Sequence, residues 1–419
     1  MSSVVLRERD SRVRIPTPAE GQSPAMYSEL EVGLLTGGQD RHYAFGLAMA
    51  LIDKGVRLDV IGSDSVDGPE MHSTPRLRFL NLHGGNQTAS IAIKLKRVLV
   101  AYGRLVRYSA ATNPKIFHIL WNNKFEFFDR TLLMMYYKVM GKKVVLTAHN
   151  VNAGRRDSKD SLFNRRTLRL QYGLADHIFV HTEKMKNELL ERFHVAESAI
   201  TIIPYGINNA VPDTDLTSAQ AKRLLGIREG EKTILFFGAI KPYKGLEHLV
   251  AAFQPIANTQ AQYRLIIAGE RKRGCEEYWA KIQQAIERDS SRQQVIQKIE
   301  FIPDEETELY FKAADVAVLP YTEIFQSGIL FLAYSFGLPV IATNVGSFGE
   351  DIVEGRTGFV CKPCDADDLR AAIQKYFDSD LFKELEERRQ EIRDYAHAKH
   401  SWEVVGDLTR NVYSSLLAK

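Results

Sequence analysis

The stretch from Leu319 to Ile352, LPYTEIFQSGILFLAYSFGLPVIATNVGSFGEDI, constrains this chain more than any other. Val316–Leu319 is a short apolar run halted by Pro320, the pattern of a strand buried on both faces of a parallel sheet. Tyr321–Ser327 is polar and turn-like. Ile329–Phe336 is apolar and unbroken, as in a helix docked on a sheet, and Gly337 with Pro339 ends it. Val340–Ala342 reads as the next strand. A helix beginning near Ser327-Gly328-Ile329 would aim unpaired N–H groups into the loop at a strand's carboxyl end, a seat for a phosphate. Ligands of open α/β sheets bind at such ends. The same pattern also suits a plain crossover that holds nothing.

The amino-terminal half opens in a similar way. Glu31–Leu35 reads as a strand, Thr36-Gly37-Gly38-Gln39-Asp40 as a glycine loop, and Tyr43–Lys54 as a helix ended by Gly55. Leu58–Ile61 is the second strand. The loop lacks G-x-G-x-x-G, which argues against a dinucleotide. Ile116–Leu120 and Lys143–Thr147 are further strands, and the second runs into Ala148-His149-Asn150. His149 therefore stands at a strand's carboxyl end, where a site residue belongs. His177–His181, Thr233–Phe237, Leu265–Gly269 (with Glu270 at its end) and Glu300–Pro303 complete the expected strands. Asp365 caps a helix carrying Leu369, Ile373 and Phe377 on one face. Trp402–Leu417 is the last helix.

A chain of 419 residues is long enough for two domains of ordinary size. The expected division is a disordered leader at 1–27, a first domain at 28–208, a linker at 209–217 with Pro212, a second domain at 218–400, and a final helix at 401–419. The leader carries Arg7, Arg9, Arg12 and Arg14 among three prolines and has no apolar core, unlike a secretory signal. No apolar run nears the roughly 18 residues of a membrane span. Cys275, Cys361 and Cys364 make no disulfide framework, which suits the cytoplasm. The Cys361–Cys364 pair has no second pair or nearby histidine to complete a zinc site.

Net charge is +3, but residues 71–170 hold 19 Lys and Arg against 4 Asp and Glu. Such asymmetry points to an acidic partner for the first half. On a helical wheel, Ile91, Leu95, Val98, Leu99, Tyr102, Leu105 and Val106 fall in one arc. Lys94, Lys96, Arg97, Arg104 and Arg107 occupy much of the other side, and Arg155, Arg156, Arg165, Arg166 and Arg169 extend the basic surface. Attraction to anionic lipid, at about 1 kcal/mol per basic residue near the surface, is the leading reading. A solvated face of a packed helix is the plain alternative. Nucleic acid is disfavoured, because no binding motif accompanies the charge.

The order PY…QSG…FGLPVIAT..GS..E…EGRTGFV resembles the carboxyl-terminal signature of nucleotide-sugar glycosyltransferases with the α/β GT-B fold, two Rossmann-like domains facing a cleft. The nearest resemblance is to glycosyltransferase family four, the retaining group. FFGAIKPYKGLEHLV, LIIAGE and IEFIPDEETELYFKAADVAVLPY follow the same pattern in order, covering about residues 200 to 365 densely and the first half more loosely. Tyr205-Gly206-Ile207-Asn208 resembles the family's hinge entry, and in this fold the final helix crosses back to the first domain.

The resemblance implies a nucleoside diphosphate sugar as donor, no metal or other cofactor, and a lipid-linked or saccharide acceptor. It implies Lys241, Lys244, His149 and Glu323 as catalytic groups. Fixed cations and N–H dipoles would stabilise the leaving diphosphate, with His149 against the transferred sugar. The donor would be held by Gly37, Gly38, Gly238, Glu270, Ile302, Gln326, Ser327, Gly328, Ile329 and Glu350. Two departures bear on the chemistry. Ala239 stands at the family's usual arginine, so Lys241 is expected to supply that cation. The family's paired glutamates fall at Ile324 and Leu332, leaving Glu323 beside the first place and nothing acidic at the second. A peripheral position on the inner face of the membrane is the expected location. A nucleotide-sugar epimerase of the same fold and a silent binding partner remain alternatives.

Overall fold

The computed structural model describes residues 30–38, 40–83, 91–123, 125–156, 160–207 and 211–418. The expected leader and part of the expected linker lie outside them. Thirteen strands among the described residues form two parallel sheets. The first contains β1 (Glu31–Leu35), β2 (Arg57–Ser63), β3 (Leu77–His83), β4 (Ile116–Ile119), β5 (Lys143–Thr147), β6 (His177–Val180) and β7 (Ile200–Ile202), in the order 3-2-1-4-5-6-7. The second contains β8 (Lys232–Phe237), β9 (Tyr263–Ala268), β10 (Val295–Lys298), β11 (Val316–Leu319), β12 (Val340–Thr343) and β13 (Gly358–Cys361), in the order 10-9-8-11-12-13.

Central strands such as β4, β11 and β12 are buried at every position, because crossover helices cover both faces. Each chain half steps outward over three strands and then returns to the far side of its first. The reversals fall between β1 and β4 and between β8 and β11. Each opens a crevice at the strands' carboxyl ends.

The strand expected at 300–303 lies five residues earlier, at Val295–Lys298, paired in register with Leu265–Ala268. It is an edge strand and only partly buried, so polar Gln297 and Lys298 mask its pattern. The apolar run that misplaced it is a loop: Ile302 is buried, Phe301 is exposed, and Pro303 precedes the helix Asp304–Ala313. β3 and β13, which no pattern singled out, are also edge strands. Among the described side chains of the arc on the helix Ile91–Ala111, packing is partial, and Val98 lies against the core. Tyr102 and Leu105 are buried, whereas Leu95 and Leu99 are 49% and 59% exposed.

The final helix, Trp402–Ala418, lies on the helix Arg41–Asp53 of the first half. Trp402 fills the space that Gly46 and Gly206 leave open: a Cβ at either glycine would stand 2.3 Å from its ring. Its indole N–H donates to the Ile207 carbonyl at 2.8 Å. Further along, the Tyr413 hydroxyl meets His118 Nδ1 at 2.6 Å, and His118 Nε2 meets the Thr147 hydroxyl at 2.7 Å. His118 is wholly buried in β4, and burial pushes its pKa down to about 3.

The unfolded chain therefore binds a proton that the folded chain refuses. This contribution to stability is complete above the ordinary value of 6.5 and is lost as pH falls toward about 3. A His118→Gln variant should show a shallower fall of unfolding free energy between about pH 6.5 and 4. The difference should be up to one proton's slope, ~1.4 kcal/mol per pH unit. Chemical denaturation across a pH series measures it, and parallel curves would place the acid sensitivity on other groups.

Candidate functional site

The two crevices face each other, and two cavities meet between them. The first, of about 410 Å³, is walled by Trp121, Asn122, Arg130 and His149 on one side and by Ile324, Phe325 and Gln326 on the other. The second, of about 480 Å³, lies between His42, Tyr43 and Ser65 and the residues Phe237, Ile302, Asp304, Ile329 and Leu332. Asp40, Tyr205 and Gly328 line both.

His149 directly follows Ala148 at the end of β5. Its ring stacks on Trp121, centroids 4.2 Å apart and planes 7° from parallel, and Tyr43 meets it edge-on at 4.4 Å. Its Nδ1 is 3.1 Å from His181 Nε2, and His181 Nδ1 is 3.2 Å from the Ile203 carbonyl. A carbonyl only accepts, so His181 carries its proton on Nδ1 and offers a lone pair at Nε2. His149 then donates from Nδ1, which leaves its own Nε2 as a lone pair. That nitrogen is buried and has no partner among the described residues. Burial first, then the neighbouring His181 and His118, holds the His149 pKa well below the ordinary value. Burial likewise takes His181 down to about 4. His149 is thus a neutral acceptor, suited to receiving a hydroxyl hydrogen and unsuited to acting as an acid.

Gly37 and Gly38 have φ of 59° and 70°. A Cβ on Gly37 would stand 2.6 Å from the Trp121 carbonyl oxygen, and one on Gly38 would stand 2.4 Å from Ser63 Oγ. Both glycines serve close approach of the loops and line neither cavity; Asp40, which follows, lines both. Its carboxylate accepts from the Tyr43 N–H at 3.0 Å and the Tyr205 hydroxyl at 3.1 Å.

In the second half, Gly238 has φ of 100° and crosses Gly269 so closely that a Cβ at Gly269 would stand 2.0 Å from the Gly238 oxygen; neither Gly238 nor Lys244 lines either cavity. Lys244 ends a 3-10 turn and is buried, its Nζ 2.9 Å from where a Gly238 Cβ would lie and 5.2 Å from the centre of the Tyr321 ring. Ile329, in the first turn of the helix Gly328–Ser335, approaches the same point at 3.5 Å. Burial lowers the Lys244 pKa, and among the described residues no carboxylate forms an ion pair with it. A desolvated ammonium thus lies beside the side chain of the helix's first turn, and burial makes an anionic partner favourable to it. Lys241 lies half-buried, its Nζ 5.8 Å from the centre of the Tyr243 ring.

Ser327 is buried and makes no side-chain cap, and Gln326 has a buried Oε1 without a partner among the described residues. Glu323 is half-buried and lines neither cavity; its neighbour Ile324 lines the first. Leu332 lines the second, so both places where the resemblance expects an acid are apolar wall. Glu270 pairs with Lys272 at the end of β9, outside both cavities. Glu350 is exposed; its backbone oxygen accepts from Lys399 Nζ at 2.8 Å and its N–H donates to the Ser347 carbonyl at 2.9 Å.

Sequence reasoning missed Trp121, His181, Asp40 and Tyr205. It also missed the bridge between the halves, in which His42 Nε2 stands 3.1 Å from Asp304 Oδ1. That hydrogen bond, above all, raises the His42 pKa. Trp121 and His181 lie within two residues of the ends of β4 and β6, so a search for polar or aromatic groups after every strand would have found them.

Comparisons with known proteins place both halves together. Residues 36–211 match the model of Glycosyltransferase Family 4, and residues 218–399 that of Glycosyl transferases group 1. The chain is 29% identical over 290 residues to a glycogen synthase of Mycobacterium tuberculosis, covering 67% of this chain but only 64% of that protein. It is 23% identical over 392 residues to a D-inositol 3-phosphate glycosyltransferase of Corynebacterium diphtheriae, 88% of each chain. Sucrose-phosphate synthase from Thermosynechococcus elongatus shares the fold with a TM-score of 0.73 at 20% identity, over 93% of this chain and 99% of that one. Anabaena HepE, solved in complex with UDP and glucose, does so with a TM-score of 0.72 at 15% identity, over 93% and 100%.

The histidine relay predicts a spectroscopic signature. Nitrogen-15 NMR of histidine-labelled protein should show His149 neutral and protonated on Nδ1 at pH 8 and still so at the ordinary histidine value of 6.5. His181→Phe should abolish that fixed tautomer. A resonance from His149 protonated on Nε2, or an imidazolium at or above pH 6.5, would contradict the relay.

Proposed function

The chain belongs to the GT-B glycosyltransferases of the family 4 type, and from that premise we propose that it moves a glycosyl group, with retention, from a nucleoside diphosphate sugar to a lipid-linked or polysaccharide acceptor. The observation that carries this reading is the packing of Lys244 against Gly238 and Ile329 in the first turn of the helix Gly328–Ser335, whose Gly328 lines the cavity that holds His149. As the glycosidic bond breaks, negative charge grows on the leaving diphosphate. A fixed ammonium and N–H dipoles already aimed at that charge lower the barrier without reorganisation. Lys241 adds charge at the edge of the same loop. Ile302 and the loop around it shape the base pocket of the second cavity, and Gln326 with Ser327 borders the sugar. His149 accepts a hydroxyl hydrogen of the transferred sugar and fixes its orientation. HepE, with UDP and glucose bound, supports a nucleotide-sugar donor for this fold.

The surface of the first half supports a membrane-bound acceptor. Eighteen large apolar side chains are exposed among the described residues, and thirteen of them lie on the helix Ile91–Ala111, residues 125–140 and the helix Leu162–Leu174. These elements adjoin: Tyr102 stacks on Phe125 at 5.8 Å, and Phe127 meets Phe163 at 4.9 Å. Lys96, Arg97, Arg104 and Arg107 are exposed on the first of them. Concentrated apolar area beside basic charge suits insertion at the headgroup level of an anionic bilayer.

Two outcomes follow. Lys244→Ala should reduce kcat/KM by about 10²–10³ while weakening nucleoside diphosphate binding less, because its charge matters most as the bond breaks. Parent-like kinetics would remove Lys244 from the site. The protein should sediment with anionic vesicles and release with salt. A combined Leu95→Ser, Leu99→Ser, Arg104→Ala, Arg107→Ala variant should stay in solution, and its co-sedimentation at the parent level would count against the membrane surface.

A further inference from the structure

Besides His149, the first cavity holds a charged group that the transfer scheme leaves unused. Residues 126–139 form one continuous helical stretch, and its middle turn, Asp129–Leu133, is π-helical. Such turns insert one residue and re-aim the side chains on either side of it. Here Asp129 points inward to the Tyr102 hydroxyl and the Asn123 amide, at 3.1 and 3.3 Å, while Arg130 lies along the cavity wall.

The Arg130 side chain is only 11% exposed. Its Nη1 donates to Asn164 Oδ1 at 2.8 Å, and its Nη2 bonds the carboxylate of Glu126. Its Nε is buried and has no partner among the described residues. Asn164 is itself held, its amide nitrogen donating to Asn152 and Asp160 at 2.9 and 3.0 Å, so the guanidinium plane is fixed from behind. Glu126 is 61% exposed and can swing into water.

An unfilled N–H on a buried cation costs stability unless a ligand fills it. The Nε–Nη2 edge is the fork that grips two oxygens of one anion, once the exposed carboxylate leaves. Among the described residues, Asp40 and Glu126 are the only carboxylates in the wall of this cavity. Asp40 is engaged by Tyr205 and Tyr43, so on this edge Glu126 holds Nη2 and Nε stays unfilled. The linked amides of Gln171 and Asn122, 2.9 Å apart, stand on the same wall and suit sugar hydroxyls.

We propose that the acceptor is a phosphorylated saccharide whose phosphate seats on the Nε–Nη2 edge of Arg130, displacing Glu126, with the sugar reaching toward His149. This rests on reading the cleft as the site of glycosyl transfer. Phe125 and Phe127 flank Glu126 and are 42% and 49% exposed. Apolar surface at that place favours a phosphate that joins the sugar to a lipid over one on a soluble sugar.

The test is calorimetric, on the full chain with its donor site filled by saturating nucleoside diphosphate. Three probes are titrated: a short-chain lipid-linked monosaccharide phosphate, a soluble monosaccharide phosphate, and the same sugar without phosphate. The phosphorylated probes should bind at least tenfold more tightly than the bare sugar, the lipid-linked one most tightly. Arg130→Gln should erase that preference, and the exposed change Glu126→Gln should strengthen binding of both phosphorylated probes by removing the competitor. Arg130→Lys should restore only part of the preference, because an ammonium lacks the two-pronged edge. Equal binding of all three probes, or an unchanged preference in Arg130→Gln, would overturn the proposal. The same result follows if Arg130→Gln weakens all three equally, since that describes a supporting residue. Nucleoside diphosphate affinity, titrated separately, should not change in any of these variants. Its absence in the parent would instead bring down the transfer reading.

Discussion

Parallel pairing is the constraint on which the rest depends. Parallel strands need long crossovers, so helices cover both faces of each sheet and water reaches the strands only at their ends. Strand order reverses once in each sheet, and the crevice that results cannot be filled by the connections themselves. Each functional group described above hangs from a segment after one of these strands or from the helix that follows it. Asp40 follows β1, Trp121 β4, His149 β5 and His181 β6; Lys244 follows β8, and Gln326 with Gly328 follows β11.

The two walls divide the chemistry. The first presents neutral rings, stacked and relayed so that one lone pair is left over. The second presents the helix start at Gly328 and Ile329, with the buried ammonium of Lys244 nearby among closely packed glycines. A donor lying across both would have its charged end on the second wall and its sugar on the first. Phe325 of the second half packs into the core of the first, and Tyr205 stacks on Phe331 at 5.3 Å. The His42–Asp304 pair closes one side, and Trp402 sits where the chain returns, over two glycines that leave it room.

Much of the fold was legible because buried parallel strands advertise themselves. β1, β5 and β11 fall where the apolar runs put them, and the helix starting at Gly328 lies one residue from its expected start. The edge strands were not legible, since half-exposed positions carry mixed residues, and β10 was misplaced for that reason. At the site, His149 and Lys244 could be singled out by position and resemblance. The relay through His181 could not, because it joins the ends of two strands 32 residues apart in sequence. Nor could the Arg130 edge, which depends on a π turn that no periodicity in residues 126–139 announces. The apolar face of the helix Ile91–Ala111 was legible as a face. That Leu95 and Leu99 on that face stay exposed could only be seen in three dimensions.

The central claim is that a nucleoside diphosphate sugar lies across the two cavities, with its phosphates on Lys244 and the start of the helix Gly328–Ser335. A crystal structure of the full chain with a bound nucleoside diphosphate sugar tests this most directly. The account predicts a β-phosphate oxygen within hydrogen-bonding distance of Lys244 Nζ and of a first-turn N–H of that helix. It also predicts a sugar hydroxyl against His149 Nε2. A diphosphate seated on Arg130 instead, with Lys244 untouched, would contradict it.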